Sequence, residues 1–416
     1  MEKPTRIALV AYAMHCGGME SFLLRLGGYL RDQGYEVELI TTLEPGEWFD
    51  RLAEEGVPAY HVAGYRRSGP FNPLQHTRRV SARLREGKYN LILLNHSRHA
   101  QAGLARLPDD VVAIPILHND NEEIYRVGCG NPEAWNVAVA VSPKVASTAQ
   151  RLKSSRPVLE ITSGVELPDA AQWHGRRGWS TPLELIFIGR LDHGQKGVLW
   201  LPDIYRASLQ RGVDCRLTIV GDGPDAQQLR RRLSDLGLLE RTRLLQGLTH
   251  HQVYDLLLDA HVLLMPSFYE GLPIALLESM ACGCVPVVSR LPGITDYAIQ
   301  DGESGLLVEV GDTDGFADAV ATLHQNPTQW SRMSQAAHIR AQSCFSVQAM
   351  GRSYLRLIEE ALQGQYPLPR SRKVQRAFDP TVFSWRDFVP DWLRRHGQRG
   401  RLWWRTESPW ASTFKA

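Results

Sequence analysis

The sequence predicts two α/β domains, each built on a doubly wound parallel sheet with helices on both faces. Short apolar runs alternate with helical segments along most of the chain, which is the order that gives parallel sheets. A length of 416 residues is also too great for one ordinary hydrophobic core. A loose segment at 168–182 separates two series of alternating elements. Two domains of similar size are therefore expected.

The strands are predicted from apolar runs that are bounded by turn residues. In the first half they are expected at 7–13, 35–42, 91–94, 111–117, 137–141 and 158–161. In the second half they are expected at 183–190, 215–221, 241–247, 261–267 and 284–289. The helices should lie between most of these strands.

The composition indicates a soluble globular chain, with 22% charged and 43% hydrophobic residues. No apolar run approaches the length of a membrane span, and the first is better explained as a buried strand than as a signal peptide. Six cysteines are scattered, and Cys282 and Cys284 lack the spacing of a zinc site. Reduced thiols in a cytosolic compartment are the simplest interpretation.

Residues 365–416 differ in composition from the rest of the chain. They carry eleven Lys and Arg against four Asp and Glu, whereas the whole chain has a net charge of +2. Five of the eleven tryptophans also lie there. Tryptophan beside cations suits the interface of an anionic membrane, whereas packing of this tail onto the first domain is slightly favoured. Nothing else in the sequence points to nucleic acid.

The segment around Glu278 poses a problem of charge burial. Pro273 suits the first turn of a helix and Gly283 suits its end, and Glu278 is the only charge between them. A buried carboxylate without a partner is costly. Glu278 therefore pairs with a cation, or complements the dipole of its helix, or accepts hydrogen bonds from a ligand in a cleft.

Glu270 and the residues after it follow the strand predicted at 261–267. In doubly wound sheets, ligands bind at the carboxyl ends of the strands. The backbone N–H groups of Gly271, Leu272 and Ile274 would offer an anion site at the start of the helix. A phosphate there, with a hydroxyl-rich ligand beyond it, would occupy Glu270 and Glu278 together.

Arg190 and Lys196 lie at the end of the strand predicted at 183–190 and in the loop after it. Two cations at this position can neutralise a diphosphate leaving group, although a solvated basic loop is an equal alternative. Asp312 and Asp314 form the one Asp-x-Asp pair, which is better explained as a helix N-cap than as a metal site.

The first half has its own strand-end candidates. Gly17 and Gly18 lie between the first strand and its helix, where the backbone can approach a ligand closely. His118 follows the strand at 111–117, although a lone histidine is more often structural.

Taken together, these motifs resemble the retaining GT-B glycosyltransferases of family 4. Glu270 and Glu278 match the E-x7-E motif of that family, and Arg190 and Lys196 match its cation pair. The glycine-rich loop and the cleft histidine of the family are matched by Gly17, Gly18, Glu20 and His118. GDGP at 221–224 and DGESGLLV at 301–308 are similar to further landmarks. The strong resemblance covers about 186–310, whereas Ser163 stands where the family often has Asn.

The resemblance implies roles for these residues. Glu270, His118, Arg190 and Lys196 would be catalytic, and Glu20 would bind the acceptor. Glu278 would accept hydrogen bonds from the ribose of a nucleotide sugar. The residues expected to bind this donor are Gly17, Gly18, Arg190, Lys196, Glu270, Gly271, Leu272, Ile274 and Glu278. No metal and no cofactor are required, because the cations and the helix terminus carry the charge.

The resemblance also implies a domain organisation. A Rossmann-like acceptor-side domain is expected at 1–170, a linker at 171–182 and a Rossmann-like donor domain at 183–345, with a cleft between the domains. A helix at 346–364 would cross back to the first domain, and the basic tail would occupy 365–416.

The function expected from this resemblance is transfer of a sugar, with retention, from a nucleotide-diphosphate sugar to a hydroxyl acceptor. The acceptor would be a glycan or a lipid-linked molecule in cell-surface glycan synthesis. The enzyme would be cytoplasmic and could dock on the inner membrane face. A sugar-nucleotide epimerase or hydrolase of the same architecture and a non-catalytic binding protein are the alternatives. A nicotinamide dehydrogenase is disfavoured, since G-x-G-x-x-G is absent after the first strand.

Overall fold

The computed structural model describes residues 4–15, 17–54, 56–64, 72–152 and 156–383. The chain forms two compact units. The first unit comprises Met1–Ala140, Val145–Glu160 and Leu355–Ala416, and the second comprises Val141–Lys144 and Ile161–Tyr354. Each unit contains one parallel sheet, so the α/β fold class with two doubly wound domains is confirmed.

The sheet of the first unit has seven strands within the described ranges. They are Arg6–Ala11 (β1), Glu36–Thr41 (β2), Ala59–His61 (β3), Leu91–Asn95 (β4), Val112–Leu117 (β5), Ala138–Ala140 (β6) and Val158–Glu160 (β7). Their spatial order is β3-β2-β1-β4-β5-β6-β7, and neighbouring strands are parallel. The order reverses between β1 and β4, which is where doubly wound sheets bind ligands.

The helices of the first half pack on this sheet. They are Gly18–Asp32 (α1), Phe49–Glu54 (α2), Asn72–Glu86 (α3), Arg98–Ala102 (α4), Glu122–Gly128 (α5) and Pro143–Leu152 (α6). Every residue of β4 and β5 is buried, as expected for strands that are covered on both faces. β3 was not predicted, because three residues are too few to give a recognisable apolar run.

The sheet of the second unit has six parallel strands in the part of the chain that the structure describes. They are Leu183–Ile188 (β8), Cys215–Val220 (β9), Thr242–Leu245 (β10), Val262–Met265 (β11), Val285–Ser289 (β12) and Leu306–Val308 (β13). Their order is β10-β9-β8-β11-β12-β13, so the reversal lies between β8 and β11. Five of the six were predicted, and β13 was noted only as the motif DGESGLLV.

The helices of the second half begin with one in the segment expected to be a linker. They are Ala170–Gly175 (α7), His193–Lys196 (α8), Leu201–Gln210 (α9), Ala226–Asp235 (α10), His250–Asp259 (α11), Ile274–Ala281 (α12), Thr295–Ala298 (α13), Thr313–Gln325 (α14), Pro327–Cys344 (α15) and Val347–Leu362 (α16). As the sequence predicts, Pro273 directly precedes α12, and Gly283 follows it with a φ of +70°.

The segment at 168–182 belongs to the second unit. It contains α7, which Asp169 and Gln172 hold with a reciprocal capping box. The ring of Trp173 stacks on that of His338 in α15 at a centroid distance of 3.7 Å. This segment was interpreted as a linker from its composition, and the stack of Trp173 on His338 attaches it to the second unit.

Helix α16 carries the chain from the second unit into the first, with the division after Tyr354. The residues that follow it, as far as Phe383, pack on the first unit. Arg372 is 1% exposed, and its guanidinium donates to the carbonyl oxygens of Ala134 and Val111 at 2.8–2.9 Å. Burial lowers the pKa of Arg372 to about 10.

The basic tail therefore includes a part that belongs to the first unit. Residues 365–383 are part of the first unit, so a chain truncated near Gly364 would lose Arg372 and the buried Val382. Packing onto the first domain, one of the two interpretations of this tail, therefore holds for residues 365–383. The aromatic residues on which the membrane hypothesis depends lie outside the described residues, and they are Trp385, Phe388, Trp392, Trp403, Trp404 and Trp410.

Within the described residues, no helix has both the length and the apolar composition needed to cross a membrane.

Candidate active site

An ion pair lies at the carboxyl ends of β8 and β11, beside the reversal of strand order in the second unit. Lys196 Nζ is 2.6 Å from Glu270 Oε1, and the Ser267 hydroxyl donates to the same oxygen at 2.7 Å. Glu270 is 3% exposed. The sequence assigned Lys196 to a diphosphate and Glu270 to a sugar, and the structure brings the two residues into direct contact.

A glycine makes this contact geometrically possible. Gly197 ends α8 in the left-handed conformation, with a φ of +64°. A Cβ atom at this position would lie 1.9 Å from the carbonyl oxygen of Pro266, at the end of β11. Only glycine therefore allows the loop after β8 to approach β11 closely enough for Lys196 to meet Glu270.

Arg190 differs from Lys196 because it remains accessible. Its side chain is 60% exposed, and its Nη2 is 3.0 Å from Asp192 Oδ2. A cavity of about 330 Å³ lies beside the same loop, lined by Leu191, Asp222 and Arg230 among others. Because the Arg190 side chain is exposed, a ligand at this edge of the sheet can contact its guanidinium.

The start of α12 lies directly after Glu270. Gly271 and Leu272 form the turn, Pro273 has an extended conformation, and Ile274 is the first helical residue. The first N–H groups of a helix have no intrahelical acceptor and carry the positive end of its dipole. The helix start where the sequence predicts an anion site thus follows Glu270 of the Lys196–Glu270 pair after a short turn.

Glu278 lies one turn further along α12 and is 6% exposed. Its carboxylate Oε1 is 3.8 Å from His250 Nδ1. His250 Nε2 in turn lies 3.3 Å from Glu166 Oε2. Sequence reasoning missed His250. A signal was available, since this residue closely follows the end of the strand predicted at 241–247.

The glycine loop of the first unit lies beside Glu20. Gly17 precedes α1 with extended backbone, and a Cβ atom on it would lie 2.6 Å from Glu20 Oε2. Glu20 is 4% exposed, and this burial raises the pKa of its carboxyl to about 7, against smaller opposing effects of backbone hydrogen bonds and His15. Glu20 therefore exchanges a proton near neutral pH.

His118 follows β5 and is held by Asn95, the last residue of β4. His118 Nε2 is 2.8 Å from Asn95 Oδ1, and the Asn95 amide donates to the Leu93 carbonyl oxygen. This arrangement places the ring proton on Nε2 and leaves Nδ1 as an acceptor. Burial, with a contribution from His96, lowers the pKa of His118 to about 3, so the ring is neutral at physiological pH.

His96 is a further residue at this edge that the sequence did not single out. It directly follows β4 with a φ of +53°, a conformation that costs free energy for a residue other than glycine. Its Nε2 lies 3.6 Å from Glu123 Oε1, and Arg98 contacts the same carboxylate. Such strain is concentrated at functional sites, and here it lies beside His118.

The Asp-x-Asp pair is accounted for by helix capping. Asp312 Oδ1 accepts a hydrogen bond from the Gly315 N–H at 2.8 Å at the start of α14, and Asp314 pairs with Arg211. The N-cap interpretation is therefore confirmed. Across the described ranges, no three His, Cys, Asp or Glu side chains lie close enough together to hold a metal ion.

The candidate residues thus form two sets, one in each unit. Arg190, Lys196, Glu270 and Glu278 lie at the carboxyl edge of the second sheet, together with the start of α12. Gly17, Gly18, Glu20 and His118 lie at the carboxyl edge of the first sheet.

Two family descriptions match these same regions. "Glycosyl transferases group 1" matches residues 182–326, and "Glycosyl transferase 4-like domain" matches residues 17–119. The chain is 31% identical to a glycogen synthase of Mycobacterium tuberculosis over 216 residues, or 50% of this chain. That match spans 51% of the relative, so the chain covers about half the length of this relative.

Two further similarities cover more of the chain. A GDP-mannose-dependent alpha-(1-6)-phosphatidylinositol dimannoside mannosyltransferase of M. tuberculosis is 28% identical over 378 residues, which is 79% of this chain and 90% of the relative. The crystal structure of HepE from Anabaena with UDP and glucose superposes with a TM-score of 0.69 at 17% identity, covering 86% of this chain and 100% of HepE. At this identity the superposition shows a shared fold.

Proposed function

Because this chain belongs to the family 4 glycosyltransferases of GT-B fold, we propose that it transfers a sugar from a nucleotide-diphosphate sugar to a hydroxyl acceptor, with retention of configuration. The observation that carries this proposal is the grouping of Arg190, Lys196 and the start of α12 at one sheet edge. These groups supply two cations and a row of N–H donors, which is the chemistry that a departing diphosphate needs.

The donor would occupy the second unit as follows. Arg190 and the first N–H groups of α12 hold the diphosphate, and Lys196 turns from Glu270 toward the charge that develops on the leaving oxygen. Glu270, freed from this pair, accepts hydrogen bonds from the sugar, and Glu278 accepts them from the ribose diol. Buried carboxylates are strong acceptors for hydroxyl groups.

The first unit would supply the groups that meet the sugar and the acceptor. His118 presents a neutral ring with Nδ1 as an acceptor for a sugar hydroxyl. Glu20 would bind the acceptor hydroxyl, and the backbone at Gly17 and Gly18 would approach the donor. In the retaining reaction the acceptor attacks from the face that the diphosphate leaves, and the leaving phosphate takes its proton. Arg190 and Lys196 carry the leaving charge, so no metal ion is required.

A panel of UDP-, GDP- and ADP-sugars tests the donor. A ligand at 100 times its Kd should raise the free energy of unfolding by about 2.7 kcal/mol, which a thermal-shift assay detects. The selected donor is then supplied with glycan or lipid-linked acceptors, and NMR of the product gives the anomeric configuration. Turnover should persist in EDTA. Loss of turnover in EDTA with recovery on adding Mg²⁺ or Mn²⁺ would contradict the metal-independent mechanism.

The main alternative is a sugar-nucleotide epimerase or hydrolase of the same architecture. It predicts that the donor is consumed at the same rate with and without an acceptor. A chain that binds the donor but never consumes it would instead be a non-catalytic binding protein. Transfer that requires an acceptor excludes both.

The acceptor proposed here is a glycan or lipid-linked molecule at the cytoplasmic face of an anionic membrane. The relative named for phosphatidylinositol dimannoside supports this class. Full-length protein should cosediment with phosphatidylglycerol vesicles at low salt and be released at high salt. A chain truncated after Phe383 should stay folded and lose this binding, and equal binding by both chains would contradict the role of the tail.

A further inference from the structure

We infer that His250 is a positioning residue for nucleotide recognition, which fixes the carboxylate of Glu278 so that it can accept from both hydroxyls of the donor ribose. This inference rests on the proposed function, because it concerns the ribose-binding role of Glu278. It assigns a new role to a histidine that lies outside the E-x7-E and Arg–Lys motifs.

The first observation is the arrangement of three side chains from three separate segments. His250 Nδ1 is 3.8 Å from Glu278 Oε1 in α12, and His250 Nε2 is 3.3 Å from Glu166 Oε2. Each ring nitrogen therefore faces a carboxylate, so whichever nitrogen carries a proton directs it at an acid. The contact to Glu278 is longer than a hydrogen bond, and the inference requires it to shorten when the ribose binds.

The second observation is that the ring itself is fixed. His250 is the first residue of α11, and the preceding Thr249 forms a reciprocal capping box with Gln252. The ring packs against Tyr254, one turn later, at a centroid distance of 4.5 Å. The Tyr254 hydroxyl donates to the Glu166 carbonyl oxygen at 2.9 Å. The ring of His250 and the backbone of Glu166 are thus both held by the first turn of α11.

A carboxylate needs such support for this task. The two hydroxyls of a ribose present a fixed pair of donors, and a carboxylate accepts both only when its plane is oriented toward them. Glu278 projects from a helix whose other residues are apolar or small, so its own helix offers no cation to orient it. His250 supplies that orientation from the side, and Glu166 keeps the imidazole in place.

The chain provides a matched control for this inference. His251 is the neighbouring residue on the same turn, is exposed, and has no ion pair with Glu278 or Glu166 in the described structure. His251→Asn should therefore leave nucleotide binding unchanged. His250→Phe keeps a ring that packs on Tyr254 but removes both nitrogens, and His250→Asn keeps one amide donor in place of Nδ1.

The experiment compares UDP, GDP and ADP with their 2′-deoxy forms by titration calorimetry. Wild-type protein should prefer the ribose form of the nucleotide that it binds. His250→Phe should weaken binding of that form by roughly 5- to 10-fold, the size expected for one lost hydrogen bond, and leave the deoxy form nearly unchanged. His250→Asn should recover part of the preference. In turnover assays the donor KM should rise while kcat changes little.

The outcomes separate the two levels of the proposal. If wild-type protein prefers ribose, Glu278→Gln removes the preference and His250→Phe retains it, the inference about His250 is wrong and the proposed function stands. An equal loss of affinity for ribose and deoxyribose forms in His250→Phe also overturns the inference, because it indicates a general structural effect. If wild-type protein binds none of the diphosphates, the proposed function itself fails, and the role of His250 falls with it.

Discussion

The candidate residues at the carboxyl edges of the two sheets differ in electrostatic character. The second sheet presents ionic groups, with Lys196 paired to Glu270 and Arg190 paired to Asp192. On the first sheet, burial suppresses the charge of two candidate residues, although Arg98 and Glu123 form an ion pair at the same edge. The pKa of His118 is lowered to about 3, and that of Glu20 is raised to about 7. Both edges lie at the reversal of strand order in sheets of the same topological kind.

This difference shows how similar α/β scaffolds can be adapted to two kinds of ligand. Ion pairs that can open and re-form around a ligand suit a diphosphate. Its negative charge must be neutralised both in the bound donor and in the transition state as the diphosphate leaves. Neutral donors and acceptors suit sugar hydroxyls. A charged group would add little to the free energy of sugar binding, because the charge must first lose its bound water. The contrast therefore predicts different consequences for substitutions at the two edges.

The largest effect is expected at Lys196. Lys196→Met should reduce kcat by roughly 10²- to 10³-fold, because it removes one stabilising group from the developing diphosphate charge. It also leaves Glu270 buried without its cation, which should lower the free energy of unfolding by about 3 kcal/mol. Steady-state kinetics and thermal unfolding measure the two effects separately.

Two variants complete this test of the ionic edge. Lys196→Met with Glu270→Gln should recover most of the unfolding temperature but none of the turnover. Arg190→Ala should lose turnover without loss of stability, since its side chain is 60% exposed. If the double variant regains activity, Lys196 serves only to neutralise Glu270, and the ionic edge is structural.

A smaller effect is expected at Glu278. Glu278→Gln should weaken donor binding by roughly 10- to 100-fold, because hydrogen bonds to a charged acceptor contribute about 1.5–3 kcal/mol. Calorimetric titration with the donor nucleotide gives the affinity, and a melting curve gives the stability. Unchanged affinity in a destabilised variant would show that Glu278 is a structural residue.

The smallest effect on activity, and the clearest dependence on pH, is expected at Glu20. Its pKa is about 7 in the folded protein against a model-compound value of 4.5, so the folded state binds the proton more tightly than the unfolded state. Stability is then highest below pH 4.5 and declines as the pH rises to about 7. Glu20→Gln cannot ionise and should be more stable than wild type at pH 8, by up to about 3 kcal/mol, with no advantage near pH 4.5.

Chemical denaturation at several pH values measures this difference. Glu86→Gln, at an exposed position on α3, is the matched control and should follow the wild-type profile. A Glu20→Gln variant that gains no stability at high pH would show that the first edge is not the neutral surface inferred here.

The sequence by itself determined the α/β class, the two sheets and the strand ends at which the candidate residues lie. These features depend on local patterns, since an apolar run followed by a glycine or a charged loop is visible without tertiary information. Pro273 and Gly283 likewise gave the limits of α12 correctly, because each acts through its own backbone. The short strands β3 and β13 escaped prediction because their partners, rather than their sequences, define them.

Only the tertiary structure decided which side chains meet. The Lys196–Glu270 pair joins residues that follow strands adjacent in space but distant in sequence, and it depends on the close approach at Gly197. The partners of Glu278 come from the segments around 166 and 250. The pKa values of Glu20 and His118 follow from burial, which is a property of the packed chain. Spacing in the sequence fixes the position of a residue on its strand, helix or loop. The protonation state and the contacts of its side chain depend on the groups that the fold places around it.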